Sequence, residues 1–238
     1  MTRGGRYDAI SLDAGYTLIR PVQEAPLIVA RRLQQIGVEA APEQLTAAWR
    51  RAERLFLDDY LAPESLTWTS DVRIQTLYER YYTQLLSDLG VEDPERTHAR
   101  AIISAYNDPG NWVTYTGVPE VLAELARRNY RLGIVSDWVS GLPRILHRLD
   151  LSRYLDWVLV SGAIGFSKPS PALYGLAAQR AGTLPDRMLH VGDSYYADVM
   201  GARAAGMHAL LIDWRGRTWP RLDVSLINSI SELLTLLP

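Results

Sequence analysis

Hydrophobic positions along the chain follow two rhythms. Short apolar, partly β-branched runs occur at Tyr7–Leu12, Arg131–Val135, Trp157–Val160, Met188–Val191 and Ala209–Ile212. They lack clean alternation, the pattern of strands buried on both faces of a parallel sheet. Helical stretches separate them. Pro119–Arg128 has proline in its first turn and places Val121, Leu122 and Leu125 on one face. Ser170-Pro171 reads as an N-cap followed by proline, opening a helix over Ala172–Arg180 with Gly182 close behind. Ala197–Ala205 ends at Gly206, a C′ glycine. Strand–helix alternation of this kind predicts an α/β fold, a doubly wound, Rossmann-like parallel sheet.

From Pro21 to Trp112 the rhythm changes. This stretch has no good strand and four long amphipathic segments: Gln23–Ile36, Pro42–Leu61, Asp71–Leu89 and Pro94–Tyr106. The turn signal Asp108-Pro109-Gly110-Asn111 follows the last. The expected organisation is therefore a core made of residues 1–20 and 113–238, with residues 21–112 inserted as a helical domain. Its aromatic residues Trp49, Trp68, Tyr78, Tyr81 and Tyr82 are expected to form that domain's own core. No internal repeat or low-complexity tract interrupts either part.

Composition narrows the functional classes. A formal charge of −2 gives no basic footprint for nucleic acid. No apolar run approaches the roughly 18 residues of a membrane span. The polar stretch Met1–Tyr7 lacks a following apolar region, so no secretory signal is expected. The absence of cysteine excludes disulfides, thiolate catalysis and cysteine–zinc sites, and fits a cytoplasmic protein. The chain carries a single lysine, Lys168, against 24 arginines. A compact ammonium at one place in an arginine-rich chain asks for a reason.

Ligands of open parallel sheets bind outside the carboxyl ends of the strands, and the reactive residues fall there. Asp13 follows the first strand in Leu12-Asp13-Ala14-Gly15-Tyr16-Thr17-Leu18; Ser136 follows the second in Ile134-Val135-Ser136-Asp137. Lys168 lies just beyond the third, in Gly165-Phe166-Ser167-Lys168-Pro169. Asp193 follows the fourth in Val191-Gly192-Asp193-Ser194, with Asp198 five residues on. His190, inside that fourth strand, is expected to be a structural core residue.

In this order the motifs resemble those of the haloacid dehalogenase superfamily: Asp-x-x-x-Thr-Leu at 13–18, Ser136, Lys168-Pro169, and Gly-Asp-Ser-x-x-x-Asp at 192–198, continuing to Met207. The resemblance covers nearly the whole chain, and the helical insert falls where capped members carry theirs. It implies a phosphohydrolase whose nucleophile is the carboxylate of Asp13, acting on a small phosphorylated molecule. It further implies a magnesium ion held by Asp13, the backbone carbonyl of Gly15 and Asp193, with Asp198 behind them. Ser136 and Lys168 would serve the transferring phosphate, and Thr17 and Asp137 would complete substrate binding. The protein is expected to be a monomer or homodimer.

One position departs from the family pattern. Phosphatases of this superfamily usually carry a second aspartate two residues after the nucleophile, as general acid and base. Here that residue is Gly15. The metal site survives, because only a backbone carbonyl is needed there, but the acid/base is missing. The wording most resembles the capped subgroup without that aspartate. A phosphatase with a displaced acid/base, such as Asp137, is the preferred reading. A 2-haloacid dehalogenase is opposed by Asp193, since those enzymes carry Ser and Asn in this motif. A non-catalytic binder of phosphorylated ligands or partners is the remaining alternative.

Overall fold

The computed structural model describes residues 6–60, 62, 65–219 and 222–238. The predicted helix end at Leu61 and most of the polar N-terminus therefore lie outside the described residues. In chain order the elements are β1 (Ala9–Leu12), β2 (Ile19–Pro21), α1 (Ala25–Gln35), α2 (Pro42–Tyr60), α3 (Asp71–Ser87), α4 (Thr97–Asn107) and β3 (Trp112–Thr114). Next come α5 (Val118–Arg127), β4 (Arg131–Ser136), α6 (Leu142–Arg148), β5 (Trp157–Val160), α7 (Ser161–Ile164) and α8 (Pro171–Ala181). The chain closes with β6 (Met188–Gly192), α9 (Gly201–Ala204), β7 (His208–Ile212), β8 (Leu226–Ile227) and α10 (Leu233–Leu236).

The described residues form a six-stranded sheet in the order β5-β4-β1-β6-β7-β8, every neighbouring pair parallel. The chain winds outward from β1 through β4 to β5, then returns to lay β6 against the other side of β1. That reversal opens the crevice in which such sheets bind ligands. All four residues of β1 are buried, so neither sheet face is left wet. Helix α5 turns Val118, Val121, Leu122 and Leu125 into the core, each contributing roughly 1.5–3 kcal/mol by burial.

Helices α1–α4 have a separate apolar core built on Val29, Ala48, Leu85, Leu86 and Ile102. Their ends sit close to the expected ones. Helix α4 starts at Thr97 rather than Pro94 because the Asp93 carboxylate accepts hydrogen bonds from the backbone N–H groups of His98 and Ala99, at 3.1 and 2.9 Å. Ser170 stands at the N-cap position of α8, as expected, yet its side chain makes no capping hydrogen bond.

Strand β8 and helices α6, α7 and α10 lie outside the expected elements, and two further features depart from them. Strands β2 and β3 form an antiparallel ribbon, with Ile19 opposite Thr114 and Pro21 opposite Trp112. The ribbon ties the exit from the sheet to the return from the helices. At three residues each, these strands are too short to show a period, and their partners lie far apart in sequence. The helix expected over Ala197–Ala205 begins instead as a wide turn at Tyr195–Met200, with the Val199 N–H reaching the Ser194 carbonyl at 3.3 Å. Only its last residues, in α9, are α-helical. Such wide turns concentrate at functional sites.

Candidate active site

The sheet register assembles the site. Leu12 pairs with Ile134 on one side and Val191 on the other. The next residue, Asp13, therefore comes level with Val135 and Gly192, one step short of Ser136 and Asp193. Its backbone N–H still bonds the Val191 carbonyl, at 2.9 Å.

Lys168 reaches this point from the loop before α8. Its ammonium, 3% exposed, donates to Asp13 Oδ1 at 2.6 Å and to Asp198 Oδ1 at 2.5 Å. Asp198 Oδ1 also lies 3.0 Å from His190 Nε2, and Asp198 Oδ2 accepts from the Ser194 N–H at 2.9 Å. His190 Nδ1 in turn lies 2.9 Å from Ser11 Oγ. An ionised Asp198 can only accept, so Nε2 carries the proton and Nδ1 accepts from the serine hydroxyl. A buried chain thus runs Ser11–His190–Asp198–Lys168–Asp13. With both oxygens engaged by protein donors, Asp198 stands behind the ammonium and fixes it. Gly192 makes room for this arrangement: a Cβ there would meet Asp198 Cγ at 2.1 Å.

Electrostatics follow from that burial. Desolvation alone would depress Lys168, but Asp13 and Asp198 outweigh it and hold the ammonium well above its usual range. Burial would raise Asp198, yet Lys168 and His190 hold it below the usual carboxylate range. Asp13 is raised, mainly by desolvation, against the pull of Lys168. Burial, then the neighbouring Asp13 and Asp198, push Asp193 up to about 7. Asp137 also rises to about 7, through burial opposed by Lys168. Asp137 Oδ1 accepts from the Lys168 backbone N–H at 3.0 Å, while Oδ2 is buried without a partner.

Asp13, Asp193 and Asp198 offer carboxylate oxygens that all lie within 4.8 Å of one another. A hard divalent cation takes such oxygen donors, and Gly15, whose carbonyl was expected to join them, lines the same cavity. Thr17 is fully buried beside the nucleophile, its hydroxyl 3.4 Å from Asp13 Oδ2, and is not among the cavity-lining residues.

The cavity itself measures about 360 Å³ and has Asp13, Ser136, Asp137, Lys168 and Asp193 at its floor. Trp49, Tyr81 and Tyr82 pack within the helical core, as expected. Trp68 and Tyr78 do more: with Phe56 and Tyr60 they wall the cavity from the helical side. From the sheet side comes Trp138, whose ring crowds Gly15. Helix α3 is fastened to the loop carrying Trp138, since Asp71 accepts from the Ser140 N–H at 2.8 Å and from the Ser140 hydroxyl.

His190 is the buried core residue expected, but its tie to Asp198 and the place of Trp138 at the site are what sequence reasoning missed. A polar side chain within a buried strand must find a partner, and for His190 that requirement was the available signal. Nothing local marks Trp138.

The model of the haloacid dehalogenase-like hydrolases matches residues 7–206. The human haloacid dehalogenase-like hydrolase domain-containing protein 3 is 31% identical over 85% of this chain and 80% of its own length. A glyceraldehyde 3-phosphate phosphatase of Methanothermobacter thermautotrophicus is 28% identical over 67% of this chain and 75% of its own. Among solved structures, a HAD-type hydrolase of Bacillus subtilis, bound to magnesium, superposes with a TM-score of 0.73 at 18% identity, over 97% of this chain and 98% of that one.

Proposed function

The chain belongs to the haloacid dehalogenase-like hydrolases, and we propose that it is a magnesium-dependent phosphohydrolase acting on a small phosphorylated molecule through an aspartyl phosphate at Asp13. The observation that carries this reading is the buried ammonium of Lys168, shared by Asp13 and Asp198 at 2.6 and 2.5 Å on the floor of the cavity. Phosphoryl transfer depends mainly on positioning and charge neutralisation, and this arrangement supplies both. The phosphatase named among the relatives supports the same class of reaction.

Asp13, the Gly15 carbonyl and Asp193 are the donors that would hold magnesium, and Asp198 would stand behind them. When bound, the ion supplies the charge that lets an anionic phosphate approach an anionic nucleophile. Lys168 holds the Asp13 carboxylate and counters phosphate charge, Ser136 donates its hydroxyl to a phosphate oxygen, and Thr17 steadies Asp13. The Asp13 oxygen forms a bond to phosphorus as the ester oxygen departs; water then attacks the acyl phosphate and restores the carboxylate. Asp137, a lining residue with one carboxylate oxygen unpartnered, is the group to give the departing oxygen its proton. Residues 21–112 act as the cap that closes over the core formed by residues 1–20 and 113–238.

Asp13→Asn tests this directly. It is nearly isosteric, so the fold should persist while magnesium-dependent release of phosphate from a panel of esters disappears. Phosphate release surviving in Asp13→Asn, or in excess chelator, would overturn the reading; chloride release from chloroacetate would assign the nucleophile to dehalogenation instead.

A further inference from the structure

The cavity that meets Asp13 has an unusual balance of chemistry. Its floor is charged, but the walls above are aromatic: Phe56, Tyr60, Trp68 and Tyr78 from the helices, Trp138 and Tyr16 from the sheet side. Among the described residues lining it, Lys168 is the only cation, and its ammonium is already shared between two carboxylates. A second anionic group on a substrate would therefore face Asp137 and Asp193, and Arg217, which lies 3.8 Å from Asp193 Oδ2, is already paired with Asp213. Sugar hydroxyls would find few partners, since ring faces dominate those walls and the Tyr16 hydroxyl is already engaged with Glu24 and Tyr106.

Size is compatible with a small ring. A cavity of roughly 150 Å³ accepts one benzene ring, so about 360 Å³ has room for a phosphoryl group and one ring together. Two of the lining residues also carry a buried polar atom without a hydrogen-bond partner, Asp137 Oδ2 and the indole N–H of Trp68, a residue only 9% exposed.

We propose that the substrate is the phosphate monoester of a single-ring aromatic alcohol carrying no charge beyond its phosphate. This rests on the phosphohydrolase reading and sharpens it. The ring lies between the aromatic walls, and the phosphoryl group sits among Asp13, Ser136 and Lys168. As the Asp13 oxygen–phosphorus bond forms, the phosphorus–oxygen bond to the alcohol breaks and its electron pair leaves on that oxygen. An aryl oxide departs as an anion and takes its proton afterwards from water, so the missing acid at Gly15 costs such a substrate least.

The test uses purified wild-type protein with magnesium and compares benzyl phosphate with propyl phosphate, two alkyl esters whose ratio reports the ring and not the leaving group. A parallel arm measures binding of phenylphosphonate and methylphosphonate, neither of which can be hydrolysed. Benzyl over propyl should show kcat/KM higher by about 10- to 100-fold, with a similar margin for phenylphosphonate binding. Phosphoserine should be the poorer substrate. Trp68→Leu should cut the benzyl-to-propyl ratio several-fold, with thermal melting used to check that the variant folds. Ratios near one in both arms, or preference for phosphoserine, would overturn the assignment while leaving a phosphohydrolase in place. A strong preference for phenylphosphonate without turnover of any ester would instead uphold the aromatic pocket and sink the hydrolase reading.

Discussion

The six-membered ring of Trp138 lies against Gly15, so near that a Cβ on residue 15 would stand 2.8 Å from its Cζ3 atom. The indole thus takes the space that a side chain at residue 15 would need. Gly15 has no positive φ, so its backbone would accept other residues; the obstacle is the ring. Trp138 is itself held by its edge-on contact with Trp112, at 4.6 Å, and by its backbone bonds to Ser161 Oγ and the Gly162 N–H.

Gly15→Asp alone should therefore lose activity and stability, by about 1–3 kcal/mol for an overpacked position. Adding Trp138→Ser should open the space. Alkyl phosphate hydrolysis by Gly15→Asp/Trp138→Ser should exceed that of Trp138→Ser by at least tenfold. Equal rates in those two proteins would show that an aspartate at position 15 cannot reach the leaving oxygen here.

Much of this site was legible in the sequence because its residues follow strands. Asp13, Ser136 and Asp193 each end a short apolar run, and parallel register then aligns them without further instruction. Lys168 stood out by composition, and the structure gives the reason: a compact ammonium fits between two carboxylates in an almost fully buried space. What stayed hidden depends on distance. The β2–β3 ribbon joins Ile19 to Thr114, and Trp138, beyond the end of β4, meets Gly15, beyond the end of the neighbouring β1. The wide turn at Tyr195–Met200 arises from ties on Asp198 to Lys168, His190 and the Ser194 N–H, which no helical period reveals.

Lys168→Arg should not substitute. The planar guanidinium is wider than the gap between Asp13 and Asp198, and the side chain it replaces is almost fully enclosed. Catalytic efficiency should fall by about 10- to 1,000-fold, the cost of one charge-stabilising donor. Near-normal kinetics in this variant would reduce the lone lysine to an accident of composition.

Asp137 should give the pH profile its basic limb. Burial holds its carboxyl near 7, so it is protonated below that pH and loses the proton as pH rises through it. Turnover of an alkyl phosphate, which needs the proton, should decline above about pH 7, whereas a nitrophenyl phosphate should show no such decline. Asp137→Asn should lower the alkyl ester rate by roughly 100- to 10,000-fold and abolish that limb. An unchanged limb in the variant would assign the proton to another group.

Stability of the helical segment should depend on Glu79, which is buried on α3 and accepts from Arg100 Nε at 2.7 Å, Arg96 at 2.9 Å and Gln75 at 3.1 Å. The hydrogen bond from Arg100, assisted by those from Arg96 and Gln75, holds the Glu79 carboxyl at about 2, against about 4.3 in an unfolded chain. Because the folded value is depressed, the contribution is complete above about pH 4.3 and is lost as pH falls toward 2. Both arginines are substantially exposed, which screens the pairs, so Glu79→Gln should cost only about 1–2 kcal/mol at neutral pH. Urea unfolding of wild type and variant at pH 7 and near pH 2.5 separates this from packing. The difference between them should shrink at the acidic pH, where the wild-type carboxyl begins to take up its proton; a difference that stays constant would mean the glutamate acts through its shape and not its charge.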